Sequence, residues 1–145
     1  GALAVPKRAD RSESAAIPRK AGRSMKIKEV IRRTDLAKPN AFEEELKFLW
    51  LTALEGQIAA DVFLMAPAET EQFNYSYPAG LDMELLVKPP YDELYVLYLE
   101  AKIDAENGEY NKYQNSLQLY NNAYGNFLRW FAGTYDPVQG YKKEA

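Results

Sequence analysis

Three carboxylates, Glu93, Glu100 and Asp104, fall seven and four residues apart, a spacing that puts them near one face of a helix. Like charges held together raise the pKa of one member, the arrangement that general-acid chemistry requires. Lys102 lies among them, and a solvated, charged helix surface accounts for the same residues more simply. The stretch Asp104, Ala105, Glu106, Asn107, Gly108, Glu109 carries oxygen ligands but lacks the spacing of a calcium-binding loop. The chain contains no histidine and no cysteine. Thiol catalysis, disulfides and Cys/His zinc sites are therefore excluded, and the commonest general base near neutral pH is missing. No glycine-rich phosphate loop follows a strand pattern. The residues predict no catalytic, cofactor-binding or metal-binding site, and a protein that is not an enzyme.

Aromatic and amide side chains stand out instead. The 145 residues include 11 Tyr, 6 Phe and 2 Trp. Tyr and Trp bury large areas while keeping a polar handle, which suits interfaces as well as cores. Tyr110, Tyr113, Leu117, Tyr120, Tyr124, Phe127 and Phe131 follow one another in alternating steps of three and four. This heptad-like seam predicts helix-on-helix packing at a shallow angle. The opposite face carries Asn111, Asn115, Gln118, Asn122 and Asn126. Asn is a poor helix former, and a solvated face would more naturally use Glu and Lys. Neutral amides offer donors and acceptors without the cost of desolvating a charge. The stripe reads either as a polar protein–protein contact or as drift on an exposed surface.

The elements that must carry these faces can be traced from the N-terminal side. Ser24 is placed to cap a short helix in which Ile27, Val30 and Ile31 form one stripe. Asn40 followed by Glu43 has the spacing of an N-cap and its N3 partner. Phe42, Leu46, Leu49, Ala53 and Leu54 then recur at helical spacing, continued by Ile58 and Val62 and widened by Trp50 and Leu51. So wide an apolar face predicts contact on more than one side. Gly56 inside it marks close packing or a weak point, and the helix should end before Pro67.

Residues 66–90 do not look helical, being interrupted by Pro67, Pro78, Gly80, Pro89 and Pro90. Phe73, Tyr75 and Tyr77 alternate, as do Met83, Leu85 and Val87. The alternation permits two short strands or a β-hairpin, or else an irregular loop that packs its aromatics onto the helices. A loop of this length in a compact domain is often a binding element. Phe73, Tyr75, Tyr77, Met83 and Leu85 are its candidate contact residues. From Tyr91 to Phe131 the pattern is one long helix, or two broken at Asn107–Gly108. The predicted fold is mainly α, a small helical bundle with one long aromatic-rich C-terminal helix or helix pair. The helices beginning near Phe42 and Tyr91 are expected to pack antiparallel.

Residues 1–24 are rich in small, charged, Pro and Gly residues and show no periodicity. Their charge is about +4 within a chain of net charge −3, leaving about −7 for the rest. They read as a disordered basic arm or an expression-derived extension, with Met25 as a plausible natural start. Residues 25–137 form the expected domain and 138–145 a flexible tail. No apolar run reaches the length of a membrane span, and no secretory signal is evident. The acidic, aromatic-rich body argues against a single-strand nucleic-acid platform.

Over residues 94–131, LYVLYLEAKIDAENGEYNKYQNSLQLYNNAYGNFLRWF, the chain resembles the small head–tail connector, or head-completion adaptor, proteins of tailed bacteriophages and prophages. The resemblance lies in Tyr98-Leu99 with Ala101, Ile103 and Asp104, in Asn107-Gly108-Glu109, and in Tyr113 with Asn115-Ser116. It continues through Tyr120-Asn121, Ala123-Tyr124, Phe127 and Trp130-Phe131. Lys38-Pro39-Asn40 and the Trp50-Leu51 helix resemble the family's first half, so the likeness spans about residues 25–137. It implies a structural adaptor that assembles as an oligomeric ring between portal and tail, in the host cytoplasm and then in the virion neck. Its implied partners are the portal protein, neighbouring connector subunits and tail-completion proteins. Sequence-specific nucleic-acid binding and membrane insertion are not implied. Residues 66–90 would supply the portal contact. The first 24 residues have no counterpart in that pattern. The alternative role is a small cytoplasmic helical protein-interaction or regulatory protein without catalytic activity.

Overall fold

The computed structural model describes residues 23–136 and 141–142. Most of the basic arm and most of the C-terminal tail assigned above lie outside the described residues. Five α-helices build the fold: α1 (Ile27–Ala37), α2 (Glu44–Asp61), α3 (Pro67–Thr70), α4 (Glu93–Glu106) and α5 (Tyr110–Thr134). Two 3-10 turns, Glu71–Phe73 and Ala79–Asp82, lie between α3 and α4. After α5, Tyr135–Asp136 (β1) pairs antiparallel with Tyr141–Lys142 (β2).

Helix α1 starts where the Glu29 carboxylate accepts the Lys26 backbone N–H at 2.8 Å, satisfying one of the donors a helix start leaves free. Its Ile27, Val30 and Ile31 are buried, as the stripe predicts. Buried Met25 and the Arg23–Glu84 ion pair at 3.2 Å extend the packed body to residue 23.

Helix α2 starts later than expected. Asn40 does not cap it; the residue preceding the helix is Glu43. The Asn40 side chain instead organises the connector, where its Oδ1 accepts the Phe42 N–H (3.0 Å) and the Lys47 ammonium (3.1 Å). A short amide side chain can close a turn on the backbone two residues ahead, and here that turn prevails over helix initiation. The rotation of α2 also differs from the stripe read above. Phe48, Leu51, Leu54, Ile58 and Ala59 face the core, whereas Leu46 and Leu49 are exposed.

Residues 66–90 contain no β-hairpin. Pro67 opens α3, where it suits a first helical turn, and the 3-10 turns follow. The alternating Met83–Val87 segment makes one strand-like contact, an isolated antiparallel bridge between Lys26 and Glu84, and bends at Leu86 and Val87. Ile27 N donates to Met83 O (3.1 Å) and Leu85 N to Met25 O (3.0 Å). The period-two pattern therefore pairs with the chain entering α1, not with a neighbouring strand of the same loop. Gly80 is required by close approach: a Cβ there would lie 2.5 Å from Tyr75 Cβ and 2.8 Å from the Phe48 ring.

The long aromatic region is a helix pair. Helix α4 ends at Glu106 with Asn107 as its C-cap, and Gly108 takes φ 72°, the left-handed geometry that suits glycine. Helix α5 returns antiparallel, so Asp104 meets Ser116, Tyr98 meets Tyr120, and Tyr91 meets Trp130. The α4–α5 pair makes the most extensive helix contact, exceeding that of α2 with α4. The α2–α4 pair was the expected scaffold. It does pack antiparallel, with Glu55 against Tyr95 and Trp50 against Lys102, but α4–α5 is the larger contact because the tight turn at Gly108 holds those two helices side by side.

The glycines give a paired test. A Cβ at Gly56 would meet nothing within 4 Å. Gly56→Ala should raise urea stability by about 0.5–1 kcal/mol from helix propensity alone. Gly80→Ala should lower it by about 1–3 kcal/mol through overpacking.

Candidate functional site

Two of the three carboxylates grouped by spacing are held in ion pairs. Asp104 is buried, 3.1 Å from the Lys38 ammonium, and accepts the Ser116 hydroxyl at 2.8 Å. Glu93 pairs with Arg33 at 3.1 Å. Burial pushes Glu100 above the usual carboxylate range, while Lys38 pulls it down and Asp104 and Glu93 add to the rise. Lys47, buried within the bundle, pairs with Asp35 at 2.8 Å. These contacts tie α1, α2, α4 and α5 together.

A different carboxylate sits at the centre of the fold. Glu55 of α2 is fully buried. Its Oε2 accepts the Leu86 N–H at 2.5 Å, and its Oε1 accepts the Tyr95 hydroxyl at 2.6 Å. The Tyr95 oxygen in turn accepts the Val87 N–H at 3.0 Å. Burial raises the Glu55 pKa to about 7, partly offset by the Tyr95 and Leu86 hydrogen bonds. Tyr95 is pushed well above its ordinary value by burial and then by the Glu55 charge. Tyr75 is pushed up to about 12 by the same two causes. No sequence motif marks Glu55, which lies in an apolar run. The available signal was a single acid at an inward helical position.

The loop residues singled out from sequence divide in two. Phe73 and Leu85 are buried, and Tyr75 and Tyr77 are half-buried. Tyr77 packs edge-on against Phe48 with ring centres 5.3 Å apart, and its hydroxyl donates to Glu44 at 2.7 Å. Met83 is exposed. The loop therefore turns its aromatics inward and presents Met83 outward.

The seam residues also divide. Tyr110 is exposed, while Phe127 and Phe131 are buried. Tyr113, Leu117, Tyr120 and Tyr124 are half-buried. Rings run in contact from Tyr98 to Tyr120 (5.3 Å), Tyr124 (5.7 Å), Phe127 (6.3 Å) and Phe131 (5.8 Å). Phe63, just beyond α2, meets Phe131 at 4.9 Å, and Tyr91 stacks on Trp130 at 5.0 Å. Burial raises the Tyr120 pKa strongly. The amide stripe is exposed throughout, at Asn111, Asn115, Gln118, Asn122 and Asn126. Leu119 is exposed beside it, and Arg129 hydrogen-bonds Asn126.

Helix α5 thus has one face packed by rings and another that presents neutral amides. Among the described residues no helix is long and apolar enough to cross a membrane. No family model, curated protein or solved structure matches the chain.

Two outcomes follow from this chemistry. Native Glu55 binds its proton more tightly than the unfolded chain does, so its contribution to stability is greatest below pH 4.5 and is lost as pH rises to about 7. Urea titrations should show the wild-type protein losing on the order of 3 kcal/mol relative to Glu55→Gln across that window. Tyr120→Ala should cost about 2 kcal/mol of folding stability. Asn115→Ala and Asn122→Ala should change it by less than about 0.5 kcal/mol.

Proposed function

We propose that the protein is a structural adaptor subunit of a phage or prophage head–tail connector, assembling as a ring between portal and tail without catalysing a reaction. The observation that carries this reading is the division of α5. Its inner face is held by the ring ladder, so the exposed amides project from a rigid support. Contacts that close a ring are heterologous and need unlike surfaces on each subunit. The amide stripe and the Met83 side of the loop are two such surfaces on separate elements. Neutral amides suit a contact that forms late, because each subunit must stay solvated until it is recruited. The resemblance over residues 25–137 supplies the partners: the portal protein, neighbouring subunits and the tail-completion proteins. The portal contact falls to the 66–90 segment, at Met83. The corresponding location is the host cytoplasm during assembly and then the virion neck.

Electron microscopy of the protein mixed with the portal protein encoded in the same genome tests this role. Rings seated on one end of the portal are the expected result. Asn115→Lys with Asn122→Lys should abolish the rings while leaving the subunit folded. Portals that stay bare at all subunit concentrations would remove the connector role.

A further inference from the structure

The outer side of α2 carries a second apolar seam. Leu46, Leu49, Ala53, Gly56 and Ala60 follow one another in steps of three and four residues, the same repeat as the packed face of α5, and Phe42, just before the helix, packs edge-on against Trp50. Leu49 is 51% and Leu46 37% exposed. Ala53 and Ala60 are exposed, and Phe42 and Gly56 are half-buried. The inner side already supplies Phe48, Leu51, Leu54 and Ile58 to the core. The helix is thus apolar on both sides, and the described residues bury only one of them. Steps of four and three are the register in which a second helix packs at a shallow angle. Side-chain size falls from Leu46 and Leu49 to Ala53, Gly56 and Ala60, which allows closer approach toward the C-terminal end of α2.

The charges around the seam specify its occupant. Glu43 and Glu45 at one end and Asp61 at the other are exposed. Lys47, the lysine of α2, is buried against Asp35. Lys102 at the rim is held over the Trp50 ring, 5.3 Å from its centre. The charges that α2 itself presents to an incoming partner are therefore acidic. A second α2 would set like charges against one another, which disfavours symmetric pairing. The basic residues 1–22 carry Pro6 and Pro18 and no apolar heptad.

We propose that the outer seam of α2 docks an amphipathic helix of another protein, one with an apolar stripe in heptad spacing flanked by lysine or arginine. The proposal stands on α2 alone and does not depend on the connector role.

The test is calorimetric titration of the full chain with a synthetic 21-residue helical peptide of about three heptads. The peptide carries Leu and Ala at its heptad positions and Lys on its flanks. Saturable one-to-one binding is expected. Leu49→Ser, and separately Ala53→Arg, should each weaken it at least tenfold without altering helical circular dichroism. Glu45→Gln with Asp61→Asn should weaken it several-fold and flatten its salt dependence. Asn115→Ser on α5 should leave it unchanged. Four results would overturn the proposal: no binding, equal affinity for the Leu49→Ser protein, equal affinity for a peptide with Glu in place of Lys, or equal displacement by a peptide of residues 1–22. Sedimentation showing the protein alone as a dimer that Leu49→Ser dissociates would assign the seam to a second copy and overturn it as well.

Discussion

A buried carboxylate organises this fold. The segment at residues 83–87 meets the chain entering α1 through an isolated bridge and then bends at 86–87, with no sheet to receive its N–H groups. Met25 O takes one of them, and Glu55 and the Tyr95 oxygen take the next two. An unpaired N–H in that position would cost roughly 1–3 kcal/mol. Burying Glu55 also costs free energy, which is why its pKa rises to about 7. Two donors on its two oxygens offset part of that cost. Once Glu55 faces inward, the rotation of α2 is decided. Phe48, Leu51, Leu54 and Ile58 then turn into the core, and Leu46 and Leu49 turn out.

The ring ladder acts on the other half of the molecule. Tyr98, Tyr120, Tyr124, Phe127 and Phe131 join α4 to α5, and Phe63 brings the end of α2 into the same chain of contacts. Aromatic pairs add about 0.5–1.5 kcal/mol each beyond the area they bury. At the far end of the hairpin, Asp104 binds both Lys38 and Ser116. The pair α4–α5 is thereby fixed at both ends. The surfaces left over are the amide stripe of α5 and the apolar seam of α2, which differ in chemistry and sit on different helices.

Much of the helical order was legible in the residues. The three-and-four spacing from Tyr110 to Phe131 marked α5, Asn107–Gly108 offered the break from α4 as one of two readings, and α2 ended before Pro67, at Asp61. Tyr110 continues the spacing but lies exposed, because α4 has ended opposite it. Asn40 carried a cap signal that its turn-forming alternative overrode. The alternation at Met83, Leu85 and Val87 marked a single strand-like bridge at Glu84, whose partner, Lys26, was distant in sequence. Of the carboxylates grouped by spacing, Glu93 and Asp104 pair with Arg33 and Lys38, and the most buried acid, Glu55, lay in an apolar run where no motif points.

By itself the sequence determined the helix periods, their breaks and the supply of apolar and amide faces, because these depend on local geometry and on residue type. Tertiary structure decided which face each helix buries. It also decided which long-range partner satisfies each polar group. Helix α2 makes the reason plain: it is apolar on both sides, so periodicity alone cannot choose between them, and the choice falls to the Leu86 N–H and the Tyr95 hydroxyl that Glu55 must reach.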